Sequence, residues 1–377
     1  MLRRFSLYSD FLWVIGAMAG AACLAGLMAG CVPADGGGDD DDDDVADGGG
    51  DGGGGDGAAA GDILARPSRS SAIALSSNGA WVAAVNPDNR TLSIFRTSDN
   101  TRIGVVETGA EPWSVVIGPD NTTAYVANRA DATVVRVRYI DTDAPMVDRM
   151  APVGSEPVAL ALSPTGARLF VAELAESRVE ELDADSLEPI GAISVDRPRA
   201  LLVTNNLDAH DDDETLVVTE YYGRPVAGGE ARDDGRTGIV HRYAVSDLAG
   251  LGDIALSPLD SGFPKGGVAT NPTVKTSPNQ LSALAESQGR LYITSVSASP
   301  EGPPRFDNNV FPVVYVADLA SGHEVQDGSG TTNLARRSST RFPARPQRIP
   351  ASSRASCPTW TSSPTPTWAT RSAGPAT

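Results

Sequence analysis

Short runs of alternating small and large apolar residues fill the middle of the chain, and they return in a fixed order. The clearest copy runs from Glu111 to Val137, EPWSVVIGPDNTTAYVANRADATVVRV. Its pattern predicts a buried strand over Trp113 to Ile117 and a turn at Pro119, Asp120 and Asn121. A second strand ends at Asn128, and a third covers Thr133 to Val137. Further copies cover Ser70 to Phe95 and Glu156 to Leu182. Aligned on the last residue of the second strand, the copies end at Asn86, Asn128, Glu173 and Glu220, spaced by 42, 45 and 47 residues. A fifth, ending at Ser295, follows 75 residues later.

Strand-and-turn repeats of this period predict an all-β fold, a β-propeller of four-stranded antiparallel blades, with about five blades present. Fourth strands are expected at Arg102–Glu107, Met146–Pro152 and Pro189–Val195. In the fourth copy the strands are expected at Arg199–Val203, Thr215–Glu220 and Gly238–Val245. Only Ser246–Leu251 and Gln280–Glu286 carry a trace of helical period. Two excursions break the repeat, Tyr221–Arg236 and Ser297–Pro312. Both follow a second strand, so both are expected on one face of the ring.

Tyr125-Val126-Ala127-Asn128, together with Pro112, the Pro119-Asp120 turn, Asp131 and Val134, resembles the YVTN repeat of seven-bladed β-propellers. Phe170–Glu173 and Leu216–Glu220 are looser matches, and the resemblance covers about residues 66 to 325. It implies a ring of seven, of which this chain would hold an incomplete portion. Proteins with this repeat occur on bacterial and archaeal surfaces and are related in shape to lactonase propellers and haem d1 domains. The resemblance therefore implies fold more than function.

The ends of the chain differ from the body. Arg3 and Arg4 precede an uncharged apolar run, Phe11 to Met28, and then Leu27-Met28-Ala29-Gly30-Cys31. This resembles the signal peptide and lipobox of a bacterial lipoprotein, with Cys31 the lipidated residue. A plain membrane span is the alternative, because the run is near the lower length limit. Val32 replaces the Asp of the inner-membrane retention signal, which points to an exported, outer-membrane or surface-anchored protein of the cell envelope. The anchor makes the membrane a partner.

Residues 32–62 hold eleven Asp among Gly and Ala, and are expected to form a disordered, self-repelling tether rather than a calcium loop. The body at 63–331 follows, and then a tail at 332–377 with seven Arg and no acid. The tail reads either as a disordered stalk or as residues decoded out of frame. Shifted by one base, and with GC-rich codon choices, it yields another blade-like string ending GYAVSR. The net charge of −18 leaves −15 for the body, which argues against nucleic-acid binding.

Chemistry is sparse. The three Cys, at 23, 31 and 357, form no metal spacing and no haem-attachment motif, and no cofactor is expected. No residue stands out as catalytic. His210, Asp211 and Asp213 are weak metal candidates, since consecutive turn residues point apart. His241 and His323 stand alone, and Glu180-Glu181 reads as an exposed strand pair. Tyr221, Tyr222, Arg224, Arg305 and Phe306, on the two excursions, are the expected binding residues. The expectation is a membrane-anchored binding scaffold for a protein or glycan. The alternative is a truncated enzyme or redox propeller, lactonase-like or lacking its haem domain, using acids such as Glu173, Glu220 and Asp307.

Overall fold

The computed structural model describes residues 62–303, 309–326 and 330–334. The chain enters as β1 (Ser68–Arg69) and builds the first blade from β2 (Ile73–Leu75), β3 (Trp81–Asn86), β4 (Thr91–Arg96) and β5 (Arg102–Glu107). Blade two is β6 (Pro112–Ile117), β7 (Thr123–Asn128), β8 (Thr133–Arg138) and β9 (Met146–Pro152). Blade three is β10 (Pro157–Leu162), β11 (Arg168–Glu173), β12 (Arg178–Asp183) and β13 (Pro189–Ser194). Blade four takes β14 (Pro198–Val203), β15 (Thr215–Glu220), a short β16 (Arg224–Pro225), β17 (Arg236–Ala244) and β18 (Gly250–Leu256). A hairpin of β19 (Leu259–Pro264) and β20 (Thr273–Thr276) leads to blade five. There β21 (Leu281–Ser287), β22 (Arg290–Ala298) and β23 (Val310–Asp318) pair in order. An outer edge in two pieces, β24 (His323–Glu324) and β25 (Thr332–Asn333), completes that blade. Every pairing is antiparallel, and the blades are those of a β-propeller.

The apolar pattern explains the stacking. All six residues of β7 are buried. Because strand side chains alternate, Ala124 and Val126 face the core shared with blade one, while Tyr125 and Ala127 face the core shared with blade three. Two further cores join blades three and four and blades four and five. Outer strands need only one covered face, so in β13 Pro189, Ile190, Ala192 and Ser194 are exposed. Among the described residues no apolar cluster joins blade five to blade one. Ile73 and Leu75, on the outward face of blade one, are 50% and 43% exposed.

The two stretches with helical period form no helix. Leu281–Ser287 is β21, because seven residues suit either element and pairing with β22 decides. Ser246–Leu251 is the turn into β18 and its first residues. The described ends of the second excursion lengthen a hairpin, with Ser297 opposite Phe311 and Ala298 opposite Val310. Among the described residues no helix is long and apolar enough to cross a membrane.

The N-terminal segment has an unexpected place. It runs up the axis of the ring, antiparallel to β14, with Ser68 opposite Val203 and Arg69 opposite Leu202. Leu64, buried in the core of blades two and three, donates its N–H to the Pro164 carbonyl at 2.9 Å. The segment then accepts one amide from the inner strand of each of three blades. Leu162 donates to Ser68 Oγ at 2.8 Å, Leu201 to Ser70 Oγ at 3.1 Å, and Val115 to the Ser71 carbonyl at 2.8 Å. Residue 64 lies at the face of the first-to-second turns. The second-to-third turns and the links between blades form the opposite face, the mouth.

Candidate functional site: an aromatic and cationic mouth

The inner strands of blades two to five start in the same way. The residues just before or at the start of the strands, Glu111, Glu156, Arg197 and Gln280, have φ of 51°, 56°, 43° and 49°. A non-glycine residue in this left-handed region costs about 1 kcal/mol or more, and such strain gathers at functional and tightly turned sites. The pairing then slips. Pro112 pairs with Asn128 but Ser114 with Ala127; Pro157 pairs with Glu173 but Ala159 with Ala172. The same slip follows Pro198 and Leu281. A bulge of this kind re-aims a side chain. The residues it re-aims are Trp113, Val158, Arg199 and Ser282, one in each of blades two to five at the mouth of the axis.

Trp113 of blade two packs against the core of blades three and four. Arg129 lies 4.7 Å from its ring centroid, and Arg199 of blade four lies 5.7 Å from it. Arg199 is also 5.9 Å from the Tyr221 ring, and Arg197 is 5.6 Å from the Tyr222 ring. The two tyrosine rings stand 4.6 Å apart, tilted by 59°. Such cation–π contacts contribute about 0.5–2 kcal/mol each, more as water is excluded. Arg129 is held by Glu111 at 3.5 Å and Glu156 at 3.7 Å. Arg199 has no carboxylate within 4 Å among the described residues; it donates to the Val158 carbonyl at 3.4 Å. Burial pushes its pKa below the usual arginine range, Tyr221 opposes that, and Arg129 adds to it.

Tyr221 and Tyr222, predicted as binding residues, do come together here. Arg224 does not: it turns to Glu220, with Nε donating to Oε2 at 2.8 Å, because a buried carboxylate needs a partner. Arg305, Phe306 and Asp307 lie outside the described residues, as does Cys31. The two excursions share a face as expected. Glu301 N–H donates to Asp233 Oδ1 at 2.8 Å, and Asp233 N–H to Glu301 Oε1 at 3.3 Å. Trp113, Arg129 and Arg199 were missed. The signal was present in the aligned copies, where Glu-Pro-Trp, Glu-Pro-Val and Arg-Pro-Arg occupy one position.

The other candidates serve the fold. Asp211 accepts from Thr165 Oγ1 at 2.6 Å, Asp213 from Asn206 Nδ2 at 2.6 Å, and His210 is exposed. They do not converge, and among the described residues no three or more His, Cys, Asp or Glu are placed to hold a metal. The end of the second strand is a repeated polar joint. Asn128 donates to the Thr108 carbonyl at 2.9 Å, and Glu173 accepts from Gly154 N–H at 2.7 Å and Arg178 Nε at 2.6 Å. A Cβ on Gly154 would collide with that carboxylate. Glu180-Glu181 is not an exposed pair. Glu181 is buried and paired with Arg168 at 3.2 Å. Burial, and then the neighbouring Glu173, push the Glu180 carboxyl up to about 7.

His241 is not isolated. Its Nε2 lies 3.0 Å from Glu220 and its Nδ1 2.7 Å from Asp253. Burial alone would depress the imidazole, but those two bonds outweigh it and raise the pKa above the ordinary 6.5. Its contribution to stability is therefore full below pH 6.5 and lost as pH rises through the raised value. The wild-type advantage over H241Q is expected to be about 1–3 kcal/mol in mildly acidic solution and to shrink above neutrality. Equilibrium unfolding across a pH series checks this; a difference that stays constant with pH would reject it.

No protein-family model matches the chain, and no curated protein does. Solved structures are similar in fold. Hydrazine synthase of Kuenenia stuttgartiensis matches at 14% identity and TM-score 0.47, over 69% of this chain and 64% of that one. A functionally unknown protein from Desulfotomaculum acetoxidans matches at 14% identity and TM-score 0.46, over 70% and 74%. The β-propeller domain of Cps50 (Swd1) from Myceliophteria thermophila matches at 14% identity and TM-score 0.41, over 68% and 72%. The matched region thus spans less than two thirds of the hydrazine synthase chain.

Proposed function

We propose that the chain is an exported propeller lipoprotein, held in the bacterial envelope by lipid on Cys31, whose mouth binds an extracellular glycan. The observation that carries the reading is the convergence of Trp113 from blade two with Arg199, Tyr221 and Tyr222 from blade four. Bulges direct two of them, and the packed excursions rise on the same face. Flat aromatic surfaces beside hydrogen-bond donors suit a sugar, whose rings have an apolar face and a polar rim. A mouth bordered by the inner strands of blades two, three and four suits a narrow chain better than a flat protein surface. Of the acids named for an enzymatic alternative, Glu173 and Glu220 are each engaged inside their own blade, and Asp307 lies outside the described residues.

The purified full-length protein is expected to bind a subset of sugars on a glycan array, and W113A to lose that binding while unfolding cooperatively. Equal binding by W113A would overturn the mouth as the site. The anchor is tested separately. C31S is expected to lose incorporation of labelled palmitate and to shift from the membrane fraction to the soluble fraction, because acyl chains supply about 0.8 kcal/mol per buried methylene. Retained label in C31S would reject it.

A further inference from the structure

We infer that the Arg199 guanidinium is a receptor for a carboxylate on the ligand, so that the glycan is an acidic one of the uronate class. This rests on the reading of the mouth as the binding surface.

The first observation is the missing counter-charge. The guanidiniums of Arg136, Arg168, Arg178 and Arg224 each meet a carboxylate of this chain, at 3.2 Å or closer. Arg199, set among aromatic rings on the inner wall, meets none within 4 Å among the described residues, and its bond to the Val158 carbonyl is long at 3.4 Å. Guanidinium nitrogens carry five N–H donors in a planar fork that matches a carboxylate in two parallel bonds. Most of that capacity is unspent.

The second observation is position. Arg199 sits at a bulge on an inner strand, beyond a left-handed Arg197, at a place equivalent to Trp113 and Val158. Arg129, close to the same indole, adds positive charge behind the site but is already engaged with Glu111 and Glu156. The body around the mouth is acidic, with a net charge of −15 over residues 63–331. An anion is therefore not drawn in by the general field of the protein. It must gain its affinity by contact, which favours a ligand that places one carboxylate on Arg199 and a sugar ring beside Trp113 and Tyr222.

Trp113 is the built-in reporter. In the full-length protein carrying W13F, W81F, W360F and W368F, its fluorescence is followed as galacturonate oligomers, neutral maltooligosaccharides of equal length, sodium acetate and inorganic phosphate are added. Saturable binding is expected for the galacturonate oligomer, with little response to the neutral oligomer or the free anions. R199Q is expected to weaken galacturonate binding about tenfold or more. R199K, which keeps the charge but not the fork, is expected to fall between. Thermal unfolding of each variant shows that the fold is intact. Equal affinity for neutral and acidic oligomers would overturn this inference while leaving glycan binding in place. Unchanged affinity in a folded R199Q would also overturn it. Binding of phosphate or acetate as tight as that of the oligomer would overturn the glycan and leave only an anion site.

Discussion

R136M is expected to lose about 3 kcal/mol of unfolding free energy, among the largest effects of any single substitution in the body. Arg136 lies on β8 with only 4% of its side chain exposed. It reaches Asp148 on β9 at 2.6 Å and Asp185, in a turn of blade three, at 2.5 Å. It therefore closes its own blade and clamps the next. Removing it leaves the Asp185 carbonyl without its donor, and leaves Asp148 and Asp185 with Arg138 alone, at 2.8 Å and 3.2 Å. The loss is kept near the low end of the range for buried pairs because Asp185 is 78% exposed and is quickly rehydrated. A pH series separates this from simple packing. The bond from Arg136 holds the Asp148 carboxyl below the ordinary 3.8, against the opposing effect of burial. A depressed carboxylate gives stability that is present above its unfolded pKa and lost as pH falls through the folded one. The gap between wild type and R136M should then narrow in acid. Denaturant unfolding at neutral and acidic pH measures both. A neutral-pH difference under about 1 kcal/mol, the level of an ordinary exposed pair, would sink the clamp.

L64A, combined with S68A and S70A, is expected to loosen the axis by about 3–5 kcal/mol in total. Truncating a buried leucine costs about 2–5 kcal/mol, with the lower end apt at the edge of a core, where Leu64 keeps 6% exposure. Each lost hydroxyl acceptor adds about 1 kcal/mol. The effect has an address as well as a size. The amides of Leu162 and Leu201 donate to Ser68 and Ser70, so these two should lose protection in hydrogen exchange before the rest of β10 and β14. Uniform loss of protection across every blade would mean that the segment belongs to the global core and is not a separable axial strand.

The repeat was legible because each blade needs the same solution. Inner and second strands of blades two, three and four are buried on both faces, so they read as apolar runs. The turns between them need residues that tolerate left-handed backbone, as at Asn121 with φ of 59°. The boundaries of β5, β9 and β15 follow from the pattern alone. Three things were hidden. Seven residues at Leu281–Ser287 have no period that separates strand from helix until β22 is beside them. Ser68–Arg69 is too short and polar to read as a strand; only the unpaired edge of β14 makes it one. The mouth was hidden because its residues lie at scattered positions, 113, 129, 199, 221 and 222, and the first three look ordinary within their own copies. Tyr221 and Tyr222 stood out because they break the repeat. Trp113 and Arg199 obey it, and only the bulge reveals where they point.

The axial strand also decides how the ring answers a pull. A load applied at Leu64 enters on the face away from the mouth. It then acts along β1, parallel to the neighbouring inner strand rather than across it. In that geometry the Ser68–Val203 and Arg69–Leu202 pairs, and the amides given by Val115, Leu162 and Leu201, are strained together. They would not break in succession, as the bonds of a peeled hairpin do. The tension is divided among three blades before any of them is opened, and the mouth at the far end is the last region of the molecule to feel it.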